Sequence, residues 1–422
     1  MNTKRFSLLL FALFCTALLC SCGESAAPVD EMTGEVNEEY SAEYDDSVLF
    51  QNKSIPICDV NDQELCKIDA FGISTLAGTK LLYTKLPKSP CEKSDTLEYH
   101  LYDIENGGDQ KLETVENWIY EENYEAKAVG SHLYISVSSG DYIERDSRLQ
   151  TIYDIDTEKG TMSPLLEVKG GIPYNTFTIA GDELILAELL ETGQSDLVRV
   201  NLADTKQKRP VVHEYDESKT FCKGSIRHID SDASHIYTVR LDWTEDEVYS
   251  LYKETYDYDL NLLESVDLDP VFTGGDNTEK QQWVAGFFVR DAYMFYQNFS
   301  VTTFFGKLDG KKADALVPAD DLFAYAPNAD GSEDDDLFLR IFGDEYEDDS
   351  LRNRFYLADP KTGKVQTASF RPKEKRYAFR SALRGSNGNL LLTVGYMPEE
   401  EGEALPDRVY YINMKDLDFK PL

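Results

Sequence analysis

Histidine is nearly missing from this chain, with five in 422 residues, and tryptophan is rarer still, with three. His100, His132, His213, His228 and His235 are scattered, and none falls at the i, i+4 spacing of a metal-binding helix face or in a ligand cluster, so they read as polar strand or turn residues. No G-x-S-x-G, Walker-type loop or G-x-G-x-x-G occurs, which removes the starting residue for serine hydrolysis and for nucleotide or dinucleotide binding. Beyond Cys22 there is no C-x-x-C, so metal ribbons and thioredoxin-like redox chemistry lack support. Basic residues are also short, at 42 Lys+Arg against 78 Asp+Glu, a net charge of −36. A field of that sign argues against a phosphate backbone and against docking on anionic lipid by charge. Nucleic acid is therefore not an expected partner. No catalytic residue is assigned.

What is present begins at the start of the chain. Lys4 and Arg5 precede the apolar run Phe6 to Leu19, which is too short to cross a ~30 Å hydrocarbon core as a helix. Leu19-Cys20-Ser21-Cys22 follows at once, placing a small residue just before a cysteine. That order is a signal peptide. The segment resembles the lipobox of bacterial lipoproteins, which implies cleavage after Ser21 and acylation of Cys22. The competing reading is an ordinary signal peptide cut near Ala17, with Cys20 and Cys22 left as thiols. Residues 1–21 are thus a leader, and 22–50 an acidic tether with nine acids and no Lys or Arg beyond Cys22. Such a segment buries too little apolar surface to offset its ordering entropy. Its partner would be the lipid bilayer, reached through the acylated Cys22, with the protein in the cell envelope and facing the periplasm or exterior.

Residues 51–422 form one domain of repeated units. Each unit runs from a small turn into a Leu/Ile/Tyr-rich strand, then a polar loop, then an aromatic-rich strand ending near Asp. Leu82, Leu133, Leu184, Ile236, Met294, Leu337 and Leu391 occupy equivalent places, and their spacing stays near fifty residues. Such a period, with several short strands per unit, predicts an all-β fold, a β-propeller of seven blades with four antiparallel strands each. Six or eight blades, or a pair of β-sandwiches, are the alternatives. Runs such as Thr151-Ile152-Tyr153-Asp154-Ile155-Asp156 read as half-buried strands.

The turns Asp156-Thr157-Glu158-Lys159-Gly160 and Asp359-Pro360-Lys361-Thr362-Gly363-Lys364 resemble the Asp-x-x-Thr-Gly-Lys turn of bacterial propeller repeats. An Asp there caps the turn, and Gly supplies a positive φ. The chain departs from the quinoprotein-type repeat, because Trp118, Trp243 and Trp283 do not close blades. Pro327 to Asp336 is similar to the Pro-Asp-Gly turn of periplasmic TolB-type propellers.

The candidate sites are few. Asn328, Asp330 and Asp334 gather hard oxygens around Gly331, as Ca²⁺ prefers, although the EF-hand spacing is not met; a tight turn is the plainer reading, and Ca²⁺ the sole cofactor considered. Cys58, Cys66, Cys91 and Cys222 permit disulfides in an exported protein, with Cys66–Cys91 first and Cys58–Cys66 as the rival. The loops expected to join second to third strands, 138–147, 188–196, 240–248, 342–352 and 396–407, hold 20 acids and only Arg145, Arg240 and Arg352 as bases. Among those acids sit Tyr142, Trp243, Tyr346 and Tyr396, beside Glu245, Asp246, Glu399 and Glu400. The turns between third and fourth strands are expected to carry lysines instead, including Lys111, Lys159, Lys206, Lys208, Lys361 and Lys364. One acidic face follows, suited to an envelope protein, peptide or glycan; plain solubility is the bland account. Two functions remain open, a non-catalytic binding or scaffold propeller and a carbohydrate-active enzyme using loop carboxylates.

Overall fold

The computed structural model describes residues 50–91, 95–119, 126–140, 149–169, 176–189, 195–210, 221–232, 234–244, 249–267, 284–290, 293–298, 303–307, 338–341, 354–358, 362, 364–370, 372, 377–385, 388–396 and 408–421. Two strands, β1 (Lys53–Cys58) and β2 (Glu64–Ala70), precede the repeats. The first four-stranded sheet is β3 (Gly72–Ala77), β4 (Lys80–Lys85), β5 (Thr96–Asp103) and β6 (Asp109–Glu116). The second is β7 (Ala126–Val129), β8 (His132–Ser139), β9 (Leu149–Asp156) and β10 (Thr161–Lys169). The third is β11 (Phe177–Ala180), β12 (Glu183–Leu189), β13 (Ser195–Asn201) and β14 (Asp204–Pro210). The fourth is β15 (Phe221–Ser231), β16 (Ile236–Thr244), β17 (Tyr249–Tyr256) and β18 (Leu262–Asp267). The fifth contains β19 (Val284–Arg290), β20 (Tyr293–Asn298) and β21 (Thr303–Lys307), and the sixth β22 (Phe338–Ile341), β23 (Arg354–Ala358) and β24 (Val365–Ser369). The seventh has β25 (Tyr377–Arg384), β26 (Asn389–Tyr396) and β27 (Arg408–Asn413).

The described residues therefore build seven sheets, in the number that the repeat calls for. Strands β3, β7, β11, β15 and β19 lie against one another in that order, and β25 lies against β3. Sheets arranged around an axis in this way are the blades of a β-propeller.

The apolar runs of the second strands have a direct cause. In β4, Leu82 joins the core between blades one and two, whereas Leu81 and Tyr83 join the core between blades seven and one. In β12, Leu184 and Leu186 face blade two, and Ile185 and Ala187 face blade four. Successive side chains point to opposite faces of a strand, so a strand sandwiched between two blades is apolar at every position. This corrects the half-buried reading of 151–156. Ile152 packs toward blade three and Ile155 toward blade one, and even Thr151 and Asp156 are buried.

Ring closure was not visible in the repeat. Strand β1 pairs parallel with β27, matching Ile57 to Val409 and Cys58 to Tyr410, and β2 adds outside it, so the seventh sheet has five strands. A further short strand, β28 (Lys420–Pro421), pairs with β24 of the sixth blade. Residues 53–70 thus complete the last blade before the first blade begins. The turns close the ring as well, since Asn389 Nδ2 donates to Gly78 O at 3.4 Å. A Cβ on Gly385 would lie 2.9 Å from Gly78 O and from Leu76. Gly385→Ala is expected to cost about 1–3 kcal/mol, as overpacking does, by forcing blade seven off blade one. A urea midpoint equal to wild type would show that the two turns separate freely.

The disulfide expectation is corrected. Cys58, Cys66 and Cys91 are free thiols. Cys66 packs between blades seven and one, whereas Cys91 packs between blades one and two. The rival pair fails too, because Cys66 opposes Ile57 across the β1–β2 ladder and Cys58 alternates to the other face, toward blade six. Burial pushes both the Cys58 and the Cys66 thiol up. The side chain of Cys222 lies outside the described residues, as does Cys22.

Candidate functional site

The antiparallel meander gives the propeller two different faces. On one, the turns between first and second strands are tied to those following the third strands. Ile104 N donates to Thr79 O at 3.0 Å, Thr157 N to Ser131 O at 2.8 Å and Leu202 N to Asp182 O at 3.0 Å. Tyr258 Oη donates to Asp232 O in the fourth blade. In blades one, two, three, four and seven the third strand also ends on or next to a capping side chain. Asp103 Oδ1 accepts from the N–H of Glu105 and Asn106, and Asp156 Oδ1 from those of Glu158 and Lys159. Asn201, Asp257 and Asn413 repeat the device. The capping role expected for Asp156 is present, with Gly160 at φ +65. This turn face is stitched to itself.

The Lys159 turn lies there as expected, with Nζ donating to Asp156 Oδ2 at 2.6 Å. Lys111, Lys206 and Lys208 do not, because they fall within β6 and β14. Lys364 is exposed just ahead of β24, and Lys361 lies outside the described residues.

The opposite face receives the ends of the second strands, and with them the connections that begin after Lys85, Ser139, Leu189, Thr244, Ile341 and Tyr396. The described strand ends that flank the acidic loop set, from Ser139 and Leu149 to Tyr396 and Arg408, lie on this loop face. Two of its expected binding aromatics are placed by backbone register. Trp243 stands next to last in β16, opposite Tyr249, and Tyr396 ends β26, opposite Tyr377. Both lie at the loop-face rim, in blades four and seven, so they occupy separate sectors of the ring. Arg240 and Asp242 belong to β16 itself, and Arg240 Nε donates to Glu254 Oε1 at 3.0 Å. Tyr142, Glu245, Asp246, Tyr346, Glu399 and Glu400 fall outside the described residues, as do Asn328, Asp330 and Asp334 of the Ca²⁺ candidate. Among the described residues, no group of three His, Cys, Asp or Glu side chains is arranged to hold a metal ion.

No protein-family model matches the chain, and no curated protein matches it. Solved structures do resemble it. The β-propeller domain of the Trilobed protease from Pyrococcus furiosus is 12% identical, covering 70% of this chain and 83% of its own, with a TM-score of 0.41. BamB from Moraxella catarrhalis is 9% identical, covering 76% and 99%, with a TM-score of 0.33. A puromycin-hydrolyzing peptidase from Mycobacterium tuberculosis is 13% identical, covering 83% of this chain and 52% of its own, with a TM-score of 0.47. The fold rests on the sheet order described above.

One polar cluster escaped the sequence reading. On blade one, Asp109 accepts from Tyr83 Oη at 2.8 Å and Lys85 Nζ at 3.0 Å, and His100 Nδ1 lies 3.0 Å from the same carboxylate. Glu98 pairs with Lys111 and lies 3.6 Å from His100 Nε2. The signal was the i, i+2 spacing of Tyr83 with Lys85 and of Glu98 with His100, which puts each pair on one face of adjacent strands. His132 pairs with Asp154 at 2.7 Å; Ser234 Oγ and His235 N donate to Asp232 Oδ1, and the His235 ring lies 3.9 Å from the same oxygen. These are carboxylate–histidine ties across strands and turns.

The displaced carboxylates among the described residues all move downward. For Asp109 and Asp232 burial alone would raise the titration, but hydrogen bonds from Tyr83, Lys85 and His100, and from Tyr237, Ser234 and His235, outweigh it. The Lys159 ammonium and N–H push Asp156 down from 3.8 to about 2. A carboxylate lowered on folding stabilises above its unfolded value, and that contribution is lost as the pH falls through the folded value. Thermal melts of wild type and Asp156→Asn are therefore expected to differ at pH 6 and to converge between about pH 4 and pH 2. A gap that persists unchanged at pH 2 would exclude the charged form as the cause.

Proposed function

We propose that this chain is a non-catalytic binding propeller of the bacterial cell envelope, anchored through lipid on Cys22 and recognising a basic protein or peptide on its loop face. The observation that carries the reading is the division of labour between faces. One face is occupied by stitched turns, and the described strand ends that flank the acid-rich connections lie on the other, where loops are free to carry recognition. Glycan recognition by Tyr142, Trp243, Tyr346 and Tyr396 is the narrower variant. The leader order in residues 1–22 supports the anchor, and no helix among the described residues is long and apolar enough to cross a membrane.

The test is crosslinking in the native envelope, followed by association kinetics with the recovered partner. Joint replacement of Glu399, Glu400 and Glu401 by Gln is expected to lower the on-rate several-fold with little change in off-rate, and 0.5 M salt should do the same. Association that ignores both salt and these substitutions would reduce the acidic face to a solubility device.

A further inference from the structure

The N-terminal chain leaves the propeller at the loop face. Phe50 exchanges both backbone hydrogen bonds with Cys91, at 2.8 and 2.9 Å, and Cys91 lies in the connection between β4 and β5. Two residues on, the Asn52 amide clamps that connection: Nδ2 donates to Leu86 O at 3.0 Å, Oδ1 accepts from Leu86 N at 2.9 Å, and Asn52 N donates to Ser89 Oγ at 2.7 Å. The Phe50 ring packs 6.1 Å from Phe71, which packs 5.7 Å from Trp118, and both of those residues sit where the chain turns at the loop face. Strand direction agrees independently. Strand β1 runs parallel to β27, which starts at the loop face, so Lys53 starts there too.

We propose that the propeller is held with its loop face toward the lipid surface and its stitched turn face outward; this rests on the lipid anchor of the preceding section. Phe50 follows Cys22 by 28 residues, a length whose root-mean-square span as a flexible chain would be roughly 30 Å, comparable with the ~21 Å radius of gyration of a domain this size. A link of that length favours the face it leaves from as the one nearer the membrane, because bringing the far face down would stretch it well beyond that span around the domain. A partner for this face is then a protein embedded in, or lying on, the same membrane.

The experiment places a donor dye by azide coupling at Lys88→azidophenylalanine, exposed on the loop face, or at Lys415→azidophenylalanine, exposed just after β27 on the turn face. The native lipidated protein is read by energy transfer to an acceptor lipid in phosphatidylethanolamine–phosphatidylglycerol vesicles. Transfer should be roughly twofold higher from 88 than from 415, given a height difference of the order of the domain radius. Equal transfer, or more from 415, overturns the orientation. A second preparation, the chain from residue 22 with a leading hexahistidine on nickel-chelating lipid, reads orientation even if native acylation fails. Loss of vesicle binding confined to the native protein would then overturn the anchor while the orientation is still measured.

Discussion

Cys22→Ser is expected to remove nearly all of the protein from the membrane fraction, either as released chain or as an uncleaved precursor. The physical ground is that each buried methylene of an acyl chain contributes ~0.8 kcal/mol, and two or more chains make attachment durable where one gives only reversible binding. Nothing else in the chain replaces that anchor by charge, because the net charge is −36 and anionic lipid repels it. Cys20→Ser is the control, since it leaves the acylated position intact and should partition as wild type. Detergent-phase partitioning of the mature chain in each variant gives the answer. A Cys22→Ser protein that stays in the detergent phase at the mature length would end the lipoprotein reading, and equal loss from both variants would point to damage of the leader alone.

Ile57→Asp is expected to unfold the propeller, or to open its ring, at ambient temperature. Ile57 is fully buried, opposes Val409 in the parallel β1–β27 pairing, and packs with Leu81, Tyr83 and Leu391 between blades seven and one. A carboxylate there has no counter-charge among the residues of that core, and an unpaired buried charge costs several kcal/mol, comparable with the whole margin of a folded domain. The loss is amplified because β1 and β2 complete the seventh blade, so weakening their seat frees two strands. Ser54→Asp on the same strand is exposed and should lie within about 0.5 kcal/mol of wild type. Urea titration followed by tryptophan fluorescence separates the two variants, and an Ile57→Asp protein with a wild-type midpoint would show that β1 is not what closes the ring.

The blade plan was legible because it is written locally. Every second strand begins with a turn and a run such as Leu81-Leu82-Tyr83 or Leu390-Leu391-Leu392, and the fifty-residue interval repeats without any knowledge of long-range contacts. The Asp156 cap was equally readable, since its hydrogen bonds reach only two and three residues along the chain. The basic start, apolar run and Leu19-Cys20-Ser21-Cys22 order of the first residues, the acids of 23–50 and the excess of acids in the second-to-third connections are likewise properties of the chain order itself.

The rest depended on pairs far apart in the chain. Residues 53–70 looked like a preface to the repeat, and only the β1–β27 pairing, some 350 residues across, made them the outer strands of the last blade. The same contact decided the cysteines, because the two sides of one blade face different cores and separate Cys58 from Cys66. It also set the exit of the N-terminal chain, through an Asn52–Leu86 clamp that no periodicity announces. Composition and period are carried by neighbours along the backbone, so a sequence shows them directly. Closure, burial on both faces of a strand and the direction in which a tether leaves arise only when blades meet, and the tertiary structure alone decides them.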